Sequence, residues 1–246
     1  MSFYNYAQGK QRIIDILDSK TDIEKSTNIP KSDEEFTYEN GIKAWVGALF
    51  VDIRNSSDYF TENKPDIVAR VIRAFCSEII TILSKNDSYR QIGIRGDCVY
   101  AIYSCPTKAE LESIMEDAIW INTFQKMFKK ILSKKGFPTF SYGIGLGLSE
   151  DLIVKAGKKG TGINDLVWIG DAVVDAANMS SIGNKDGFDP IVMDSCFYGN
   201  IKDLAVTSEN KYGDWIYEKY SYTLKKTVYH GTIIKTAFND WIEEKL

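Results

Sequence analysis

Two aspartates of the chain stand where apolar, strand-like stretches give way to turns. Asp52 closes the run ALFVD of residues 48–52, and Asp97 lies in the short segment IRGDC of residues 94–98. If the two stretches pair in one sheet, both carboxylates meet at the same end of it, where their joint ionisation is costly without a cation between them. Oxygen donors without histidine favour Mg²⁺ or Mn²⁺ as that cation. Taken alone, Asp52 also fits the simpler role of capping the next helix.

The polar residues after Asp52 extend this chemistry. Ser56 and Ser57 end the stretch RNSS, residues 54–57, and are candidate caps of the helix that follows. Free N–H groups in the first turn of such a helix favour a negatively charged group. A divalent cation beside a helix N-terminus suggests a triphosphate substrate, with Ser57 among the residues that bind it.

The composition narrows the possible functions. The 246 residues carry a formal net charge of -4, four cysteines and one histidine. An acidic chain of this kind is not expected to bind nucleic acid, and no apolar run is long enough for a signal peptide or a membrane span. Because the cysteines lack CxxC spacing, we expect reduced thiols and a cytoplasmic location. The single histidine, His230, is expected to pack in a strand, which argues against histidine-rich zinc sites and serine–histidine triads.

The elements that must position these residues begin with an N-terminal region. Apolar residues at helical spacing predict a helix at about residues 4–18, and a polar connector, extended or loosely packed, reaches Gly41. We therefore expect an N-terminal helix and connector over residues 1–41 and one catalytic domain over residues 42–246.

Apolar patterns in residues 42–246 predict an α+β fold. Gly96 suits a tight reversal within a hairpin, and Gly136 suits the end of a helix. In chain order the patterns predict a strand ending at Ile53, a helix over 64–85, a hairpin over 89–104, a helix over 107–134, a glycine-alternating strand over 139–149, a loop over 155–165, a short strand entering a helix at Gly170, strands near 213–220 and 226–235, and a helix at about 237–245. This order predicts helices packed over a mainly antiparallel sheet.

Four segments give the chain a specific resemblance. ALFVDIRNSSDYF, IGIRGDCVYAIY, YGIGLGLSE and VWIGDAVVDAANMSS resemble, in order and spacing, the strand and hairpin motifs of class III nucleotidyl cyclases across residues 43–235. The resemblance implies a ferredoxin-like sheet, with Asp52 and Asp97 as catalytic residues that bind two divalent ions, Mn²⁺ or Mg²⁺, and the backbone carbonyl of Ile53 as a further ligand. It also implies a nucleoside triphosphate substrate, a 3′,5′-cyclic nucleotide product and a homodimer with two composite sites.

Base-reading positions depart from those of purine cyclases similar to this chain. Where those enzymes carry a lysine and a polar residue, this sequence has Gly93 and Val167. A smaller base would need a refilled pocket, for which Phe50 and Arg95 are the candidates. Phe50 lies two residues from Asp52 and therefore faces the same side of the strand. Simple core packing is the alternative for Phe50.

The helix after Gly170 departs as well. Val174 and Asn178 occupy the positions at which the family carries the asparagine and arginine that support the ribose and the transition-state phosphate. Asn178 is retained as a substrate-binding candidate. The missing positive charge could come from one of five lysines, which are Lys155, Lys158, Lys159, Lys225 and Lys226.

Together with KAGKKGTGINDLVWIG and TVYHGTIIKTAFNDWI, these departures make the chain similar to the pyrimidine cyclases of bacterial Pycsar antiphage systems. That resemblance implies conversion of UTP to cUMP, or of CTP to cCMP, as a messenger for a cyclic-nucleotide-sensing effector. UTP is the preferred interpretation, although no residue separates uracil from cytosine. A purine cyclase with unusual base contacts and a catalytically degenerate nucleotide-binding module are the alternatives.

Overall fold

The computed structural model describes residues 3–246. These residues form nine strands and seven α-helices, together with short 3-10 turns at Asp33–Glu35 and Tyr212–Trp215. The strands are β1 (Asp22–Lys25), β2 (Asn40–Ile53), β3 (Tyr89–Arg95), β4 (Cys98–Ser104), β5 (Tyr142–Lys158), β6 (Ile163–Ile169), β7 (Ile191–Met193), β8 (Tyr217–Ser221) and β9 (Lys226–Gly231). The helices are α1 (Tyr6–Leu17), α2 (Ser56–Glu62), α3 (Pro65–Leu83), α4 (Lys108–Lys134), α5 (Asp171–Ile182), α6 (Ser195–Ile201) and α7 (Thr236–Lys245).

The strands of residues 3–246 share one sheet. Seven of them lie in the order β3-β4-β2-β5-β7-β9-β8, while β1 pairs with β2 and β6 pairs with β5 outside this order. The pairings are antiparallel except for the parallel pairs β1–β2 and β5–β7. The predicted α+β fold with a mainly antiparallel sheet is therefore confirmed.

Helices cover both faces of the sheet, and β2 lies between them. Leu49 and Val51 point into the large core under α3 and α4, whereas Val46 and Ala48 point into a second core beside α5. Alternate residues of a strand face opposite sides, so β2 is buried on both. This burial explains why the sequence before Asp52 is almost continuously apolar. No helix of residues 3–246 combines the length and apolar character needed to cross a membrane.

Glycines of β5 bring α5 unusually close to the sheet. A Cβ atom at Gly145 would lie 1.9 Å from the Ala176 carbonyl oxygen, and one at Gly147 would lie 2.2 Å from that of Ala172. Only glycine fits at such a separation. The glycine alternation in the sequence therefore marks a seam between β5 and α5, which fixes α5 beside the end of β2.

The predicted hairpin and helix boundaries are confirmed around the two aspartates. β3 and β4 turn at Gly96, which has a φ of 64°. Pro65 is the first residue of α3, and α4 ends just before Gly136, which has a φ of 69°. Positive φ values favour glycine, so both glycines suit their turns.

The predicted loop at 155–165 was wrong. β5 continues to Lys158 and pairs with β6 from Ile163, so most of the stretch is a two-stranded arm. The reversal at its tip uses Gly160 and Gly162, with φ values of 80° and 72°. Lysines and glycines obscured the strand, because an exposed arm needs no apolar alternation.

The connector before β2 is packed more firmly than the sequence suggested. β1 pairs with β2, and Ile29 and Phe36 are almost completely buried in the second core. The Ile29 backbone is held at both groups, since its N–H donates to Ser104 Oγ at 3.0 Å and its carbonyl accepts from Arg90 Nε at 2.5 Å. Few apolar residues are needed to anchor such a segment. The division into residues 1–41 and 42–246 stays a prediction.

The predicted serine caps were also wrong. The residue that precedes α2 is Asn55, in the left-handed region with a φ of 53°, and no side chain caps this helix. Ser56 and Ser57 lie inside its first turn instead. The reversal after β2 takes up only Arg54 and Asn55, so the helix begins at Ser56, one residue earlier than a Ser56 cap would allow.

Candidate active site

The structure brings Asp52 and Asp97 to one end of the sheet. Asp52 is the second-to-last residue of β2 and pairs with Cys98, which directly follows Asp97 in the chain. Burial raises the pKa of Asp52, the neighbouring carboxylate of Asp97 raises it further, and the cation of Arg54 opposes both effects. Two carboxylates that disfavour each other's ionisation fit a divalent cation bound between them.

Other donors near the pair are limited. Within residues 3–246, no group of three or more histidine, cysteine, aspartate or glutamate side chains could hold a metal ion. Burial and the two aspartates raise the pKa of the Cys98 thiol to about 12, so the thiol stays protonated. The side chain of Ile53 is buried, and this last residue of β2 could offer only its backbone oxygen. A hard cation with few protein ligands would complete its coordination with water and substrate oxygens.

Arg54 closes over the aspartate end of β2. Its guanidinium forms an ion pair with the Asp52 carboxylate, donates to the Asp52 carbonyl at 3.0 Å and also donates to the Ser181 carbonyl at the end of α5. A polar cavity of about 670 Å³ begins beside it and is lined also by Asn55, Asp58 and Lys129. The sequence interpretation missed this residue, although its position two places after Asp52 was visible.

An aromatic pair lies next to the aspartates. Phe50 pairs with Tyr100 across β2 and β4, and the two rings stack with centroids 5.1 Å apart and planes 15° from parallel. Tyr100 in turn pairs with Gly93, where a Cβ atom would lie 2.5 Å from the tyrosine ring. Cross-strand partners point to the same face, so this pair shares a face with Asp52. Tyr100 was missed, although the hairpin register places it opposite both Phe50 and Gly93.

Arg95 and Trp168 extend the same surface. Arg95 pairs with Cys98, so it lies on the face of Asp52, and it is exposed. Trp168 of β6 packs against the same core as Phe50 and Tyr100, and its indole N–H donates to Gln91 Oε1 at 2.8 Å. Val167 points to the opposite side of β6 from Trp168, so it does not join this surface within one chain.

Two predicted substrate residues lie on helices rather than on the strands and hairpin that carry the aspartates. Ser57 is exposed on α2, and Asn178 is exposed on α5 one turn after the exposed Val174. No hydrogen bond or ion pair of the described chain joins either residue to Asp52 or Asp97. One protomer therefore assembles Phe50, Arg95 and the acidic pair.

The candidate lysines differ in their surroundings. Lys226 of β9 forms an ion pair with Asp175, the neighbour of Val174 on α5. Lys155 donates to the Asp33 carbonyl at 3.3 Å. Lys226 is therefore the lysine that the structure places beside the helix with the missing arginine. His230, as expected, is buried in β9, with Nδ1 2.9 Å from Asp189 Oδ2.

The chain is similar to known proteins over most of its length. No protein-family model matches it. A uridylate cyclase of Treponema porcinum is 45% identical over 244 residues, which cover 98% of this chain and 82% of that protein. A uridylate cyclase of Gulbenkiania mobilis is 31% identical over 252 aligned residues, covering 98% of this chain and 96% of that protein.

Solved structures share the fold at low sequence identity. The guanylyl cyclase Cya2 aligns with a TM-score of 0.63 and 13% identity, covering 81% of this chain and 97% of that chain. The adenylyl cyclase CyaB of P. aeruginosa aligns with a TM-score of 0.62 and 17% identity, covering 80% and 97%. The architecture is thus that of a class III nucleotidyl cyclase, as the sequence motifs implied. Within that class, the chain belongs to the uridylate cyclase family and is a nucleotidyl cyclase.

Proposed function

We propose that the protein converts UTP to 3′,5′-cyclic UMP and pyrophosphate. The observation that carries this proposal is the Tyr100 ring, which stacks on Phe50 and covers Gly93. The space that a lysine would need at Gly93 is thereby filled with aromatic surface, beside the acidic pair. A single-ring base fits such a reduced site better than a purine does. The names of the two similar uridylate cyclases favour UTP.

In this proposal Asp52 and Asp97 would hold two divalent cations, either Mn²⁺ or Mg²⁺, with the Ile53 carbonyl as a further ligand. Ions held there would supply Lewis-acid chemistry: they would lower the pKa of the ribose 3′-hydroxyl and neutralise charge on the α-phosphate and the leaving pyrophosphate. Burial and the neighbouring carboxylate of Asp97 raise the pKa of Asp52, so a bound cation would favour the ionised form of the Asp52 carboxyl.

The remaining side chains bind and orient the nucleotide. Phe50 and Tyr100 stack on the pyrimidine ring, and Arg95 and Arg54 lie close enough to the acidic end to meet a negatively charged triphosphate. Ser57 and Asn178 keep their proposed roles as substrate contacts from α2 and α5. Lys226 supplies positive charge beside α5, because its partner Asp175 lies next to Val174, the position of the absent asparagine.

We propose a homodimer in which a second copy covers the exposed face of β1, β2, β5 and β6. Successive cross-strand pairs join one residue of each strand, which are Ile23, Gly41, Val154 and Val167. These four residues therefore share one face of the sheet. Ile23 and Val167 are 49% and 40% exposed. Apolar surface of this kind is typical of protein contacts. Val167 would then meet the partner's site rather than that of its own chain.

The product is proposed as a signal for a cyclic-nucleotide-sensing effector in antiphage defence. This part rests on the resemblance to Pycsar pyrimidine cyclases. The chemistry is consistent with a signal, since the reaction consumes a common triphosphate and releases a small diffusible nucleotide.

Product analysis tests the proposal directly. The purified protein is incubated with ATP, GTP, CTP and UTP in turn with Mn²⁺, and products are identified by chromatography and mass spectrometry. We expect cyclic UMP and only traces of other cyclic nucleotides. Cyclic CMP as the main product would assign the cytidylate alternative, since neither aromatic ring reads the base edge. A cyclic purine would overturn the role of Tyr100, and binding without any product would assign a degenerate nucleotide-binding module.

A further inference from the structure

A groove of about 650 Å³ lies between α3 and α4. Its walls are the end of α3 with the turn that follows, and the first half of α4. Ile82 and Trp120 supply apolar surface, and Trp120 is 43% exposed. None of the residues that line this groove belongs to the site around Asp52. The volume is in the range of cavities that bind small molecules, roughly 300 to 1,000 Å³.

Asp117 lies at the floor of the groove and is 7% exposed. Its Oδ2 accepts hydrogen bonds from Asn86 Nδ2 at 2.8 Å and from the Tyr103 hydroxyl at 3.1 Å. Among residues 3–246, no group donates a hydrogen bond to its other oxygen, Oδ1. This oxygen is also not completely shielded from solvent. A buried carboxylate therefore presents one free acceptor to the groove.

None of the other charged side chains that line the groove forms a salt bridge with Asp117 among the described residues. Glu116 forms an ion pair with Lys235 of the C-terminal segment. Glu110 accepts from the Thr107 backbone N–H at the start of α4. Lys85 lines the rim, but no salt bridge of the described residues joins its ammonium group to Asp117. Asp117 is thus a buried acid without a cationic partner, which is an unfavourable state for an ionised carboxylate.

We propose that this groove binds a small organic cation, with its ammonium group donating to Asp117 Oδ1 and its apolar body packed against Ile82 and Trp120. A cation supplies the charge that the buried carboxylate lacks, and a charge-assisted hydrogen bond is stronger than one between neutral groups. The apolar lining favours an aromatic or aliphatic body of moderate size. Asp117 is the one buried acid among the described residues of the lining, which favours a ligand with a single ammonium group.

The test uses 2-phenylethylammonium as the probe and 2-phenylethanol as its neutral counterpart. Binding to the full-length protein is measured by isothermal titration calorimetry above pH 7 and by the NMR signal of the Trp120 indole N–H, assigned with Trp120→Phe. We expect saturable binding of the ammonium compound, a shift of the Trp120 signal and at least tenfold weaker binding of the alcohol. Equal binding of the two compounds, or no saturable binding of either, would overturn the proposal.

Two matched variants test whether binding depends on the Asp117 carboxylate or on the negative charge of the groove as a whole. Asp117→Asn keeps the size and the capacity to bond Asn86 and Tyr103 but removes the charge. Asp87→Asn removes a charge from the lining of the same groove. We expect at least a tenfold loss of affinity in the first variant and less than a twofold change in the second. Similar losses in both variants would contradict a specific role of Asp117, and the alcohol comparison remains decisive should Asp117→Asn fold poorly.

Discussion

Asp52 and Asp97 illustrate how a fold can hold two charges that resist each other. Each residue sits at the end of a hydrogen-bonded strand pair, so the backbone fixes their approach regardless of the repulsion. Burial and this repulsion raise the pKa of Asp52. A cation would relieve the conflict, and the conflict is therefore an expected mark of a binding site rather than a packing error.

Removing either carboxylate should abolish turnover without unfolding the protein. We expect Asp52→Asn and Asp97→Asn each to lower kcat at least roughly a hundredfold, because transition-state charge loses a stabilising cation. The melting temperature should not fall for Asp97→Asn, since a repulsive pair is removed, and should change little for Asp52→Asn, which also loses the ion pair with Arg54. Cyclic nucleotide formation and differential scanning fluorimetry check both expectations. Asp203→Asn, an exposed loop carboxylate, serves as the control, and near-normal activity in both site variants would refute the assignment.

Tyr100 offers a second test at the same scale. In Tyr100→Ala the stacking partner of Phe50 is lost, so the Michaelis constant for UTP should rise about fivefold, as expected for an aromatic contact of roughly 1 kcal/mol. The ratio of ATP to UTP turnover should also rise, because space opens over Gly93. Tyr100→Phe keeps the ring and should retain the preference for UTP. Steady-state kinetics with both triphosphates distinguishes these results from a general loss of activity.

Among the secondary-structure elements, β5 and α5 pack so closely that the seam between them leaves no room for a larger side chain. Gly145→Ala would place a methyl group 1.9 Å from the Ala176 carbonyl oxygen, so α5 must move away. We expect a loss of stability of roughly 2 to 3 kcal/mol in urea denaturation. Gly199→Ala is the matched control, because no atom lies within 4 Å of a Cβ at that position of α6. The control should gain stability, since alanine favours a helix over glycine; equal effects in both variants would contradict the seam.

Helices and strands could be predicted from the sequence where burial of one face gives their apolar residues a regular spacing. They could not be predicted where backbone pairing alone forms the strand. β2, α3 and α4 carry long apolar patterns, and the sequence located each of them within a few residues. The β5–β6 arm is exposed and rich in lysine, and β7 has three residues, so neither shows a usable period. At the site, Asp52 and Asp97 were visible as polar residues in apolar runs. Tyr100 became visible only once the register of β4 against β2 and β3 was known.

At the scale of the whole molecule, the exposed apolar face of β1, β2, β5 and β6 predicts assembly. We expect a dimer in sedimentation velocity at micromolar concentration, and a monomer without activity for Ile169→Asp, because a charge enters an apolar contact. Ile169 is 51% exposed, so the substitution should not unfold the monomer. Trp241→Asp changes an exposed aromatic residue of α7 and should leave the dimer intact. A fully active monomeric Ile169→Asp would exclude a site that spans two copies.

The stability of the whole protein should depend on pH through Asp117. Burial raises the pKa of Asp117 from 3.8 to about 7, so between these values the folded state binds a proton that the unfolded state has lost. Stability contributed by this group is complete below the unfolded pKa and is lost as the pH rises towards 7, by up to roughly 4 kcal/mol. Asp117→Asn should flatten this decline in denaturation measured from pH 4 to 8, whereas Asp87→Asn should not. Parallel declines in wild type and Asp117→Asn would contradict the raised pKa.

The contact of Tyr100 with Gly93 bears on how such an enzyme could evolve. A lysine at position 93 meets the tyrosine ring unless that ring first leaves Phe50, because even a Cβ atom there would lie 2.5 Å from it. A lineage that carries Tyr100 would therefore reach a purine-reading lysine only after the tyrosine ring had been displaced or replaced. A change from a pyrimidine to a purine preference would therefore depend on the order of the mutations as well as on their number.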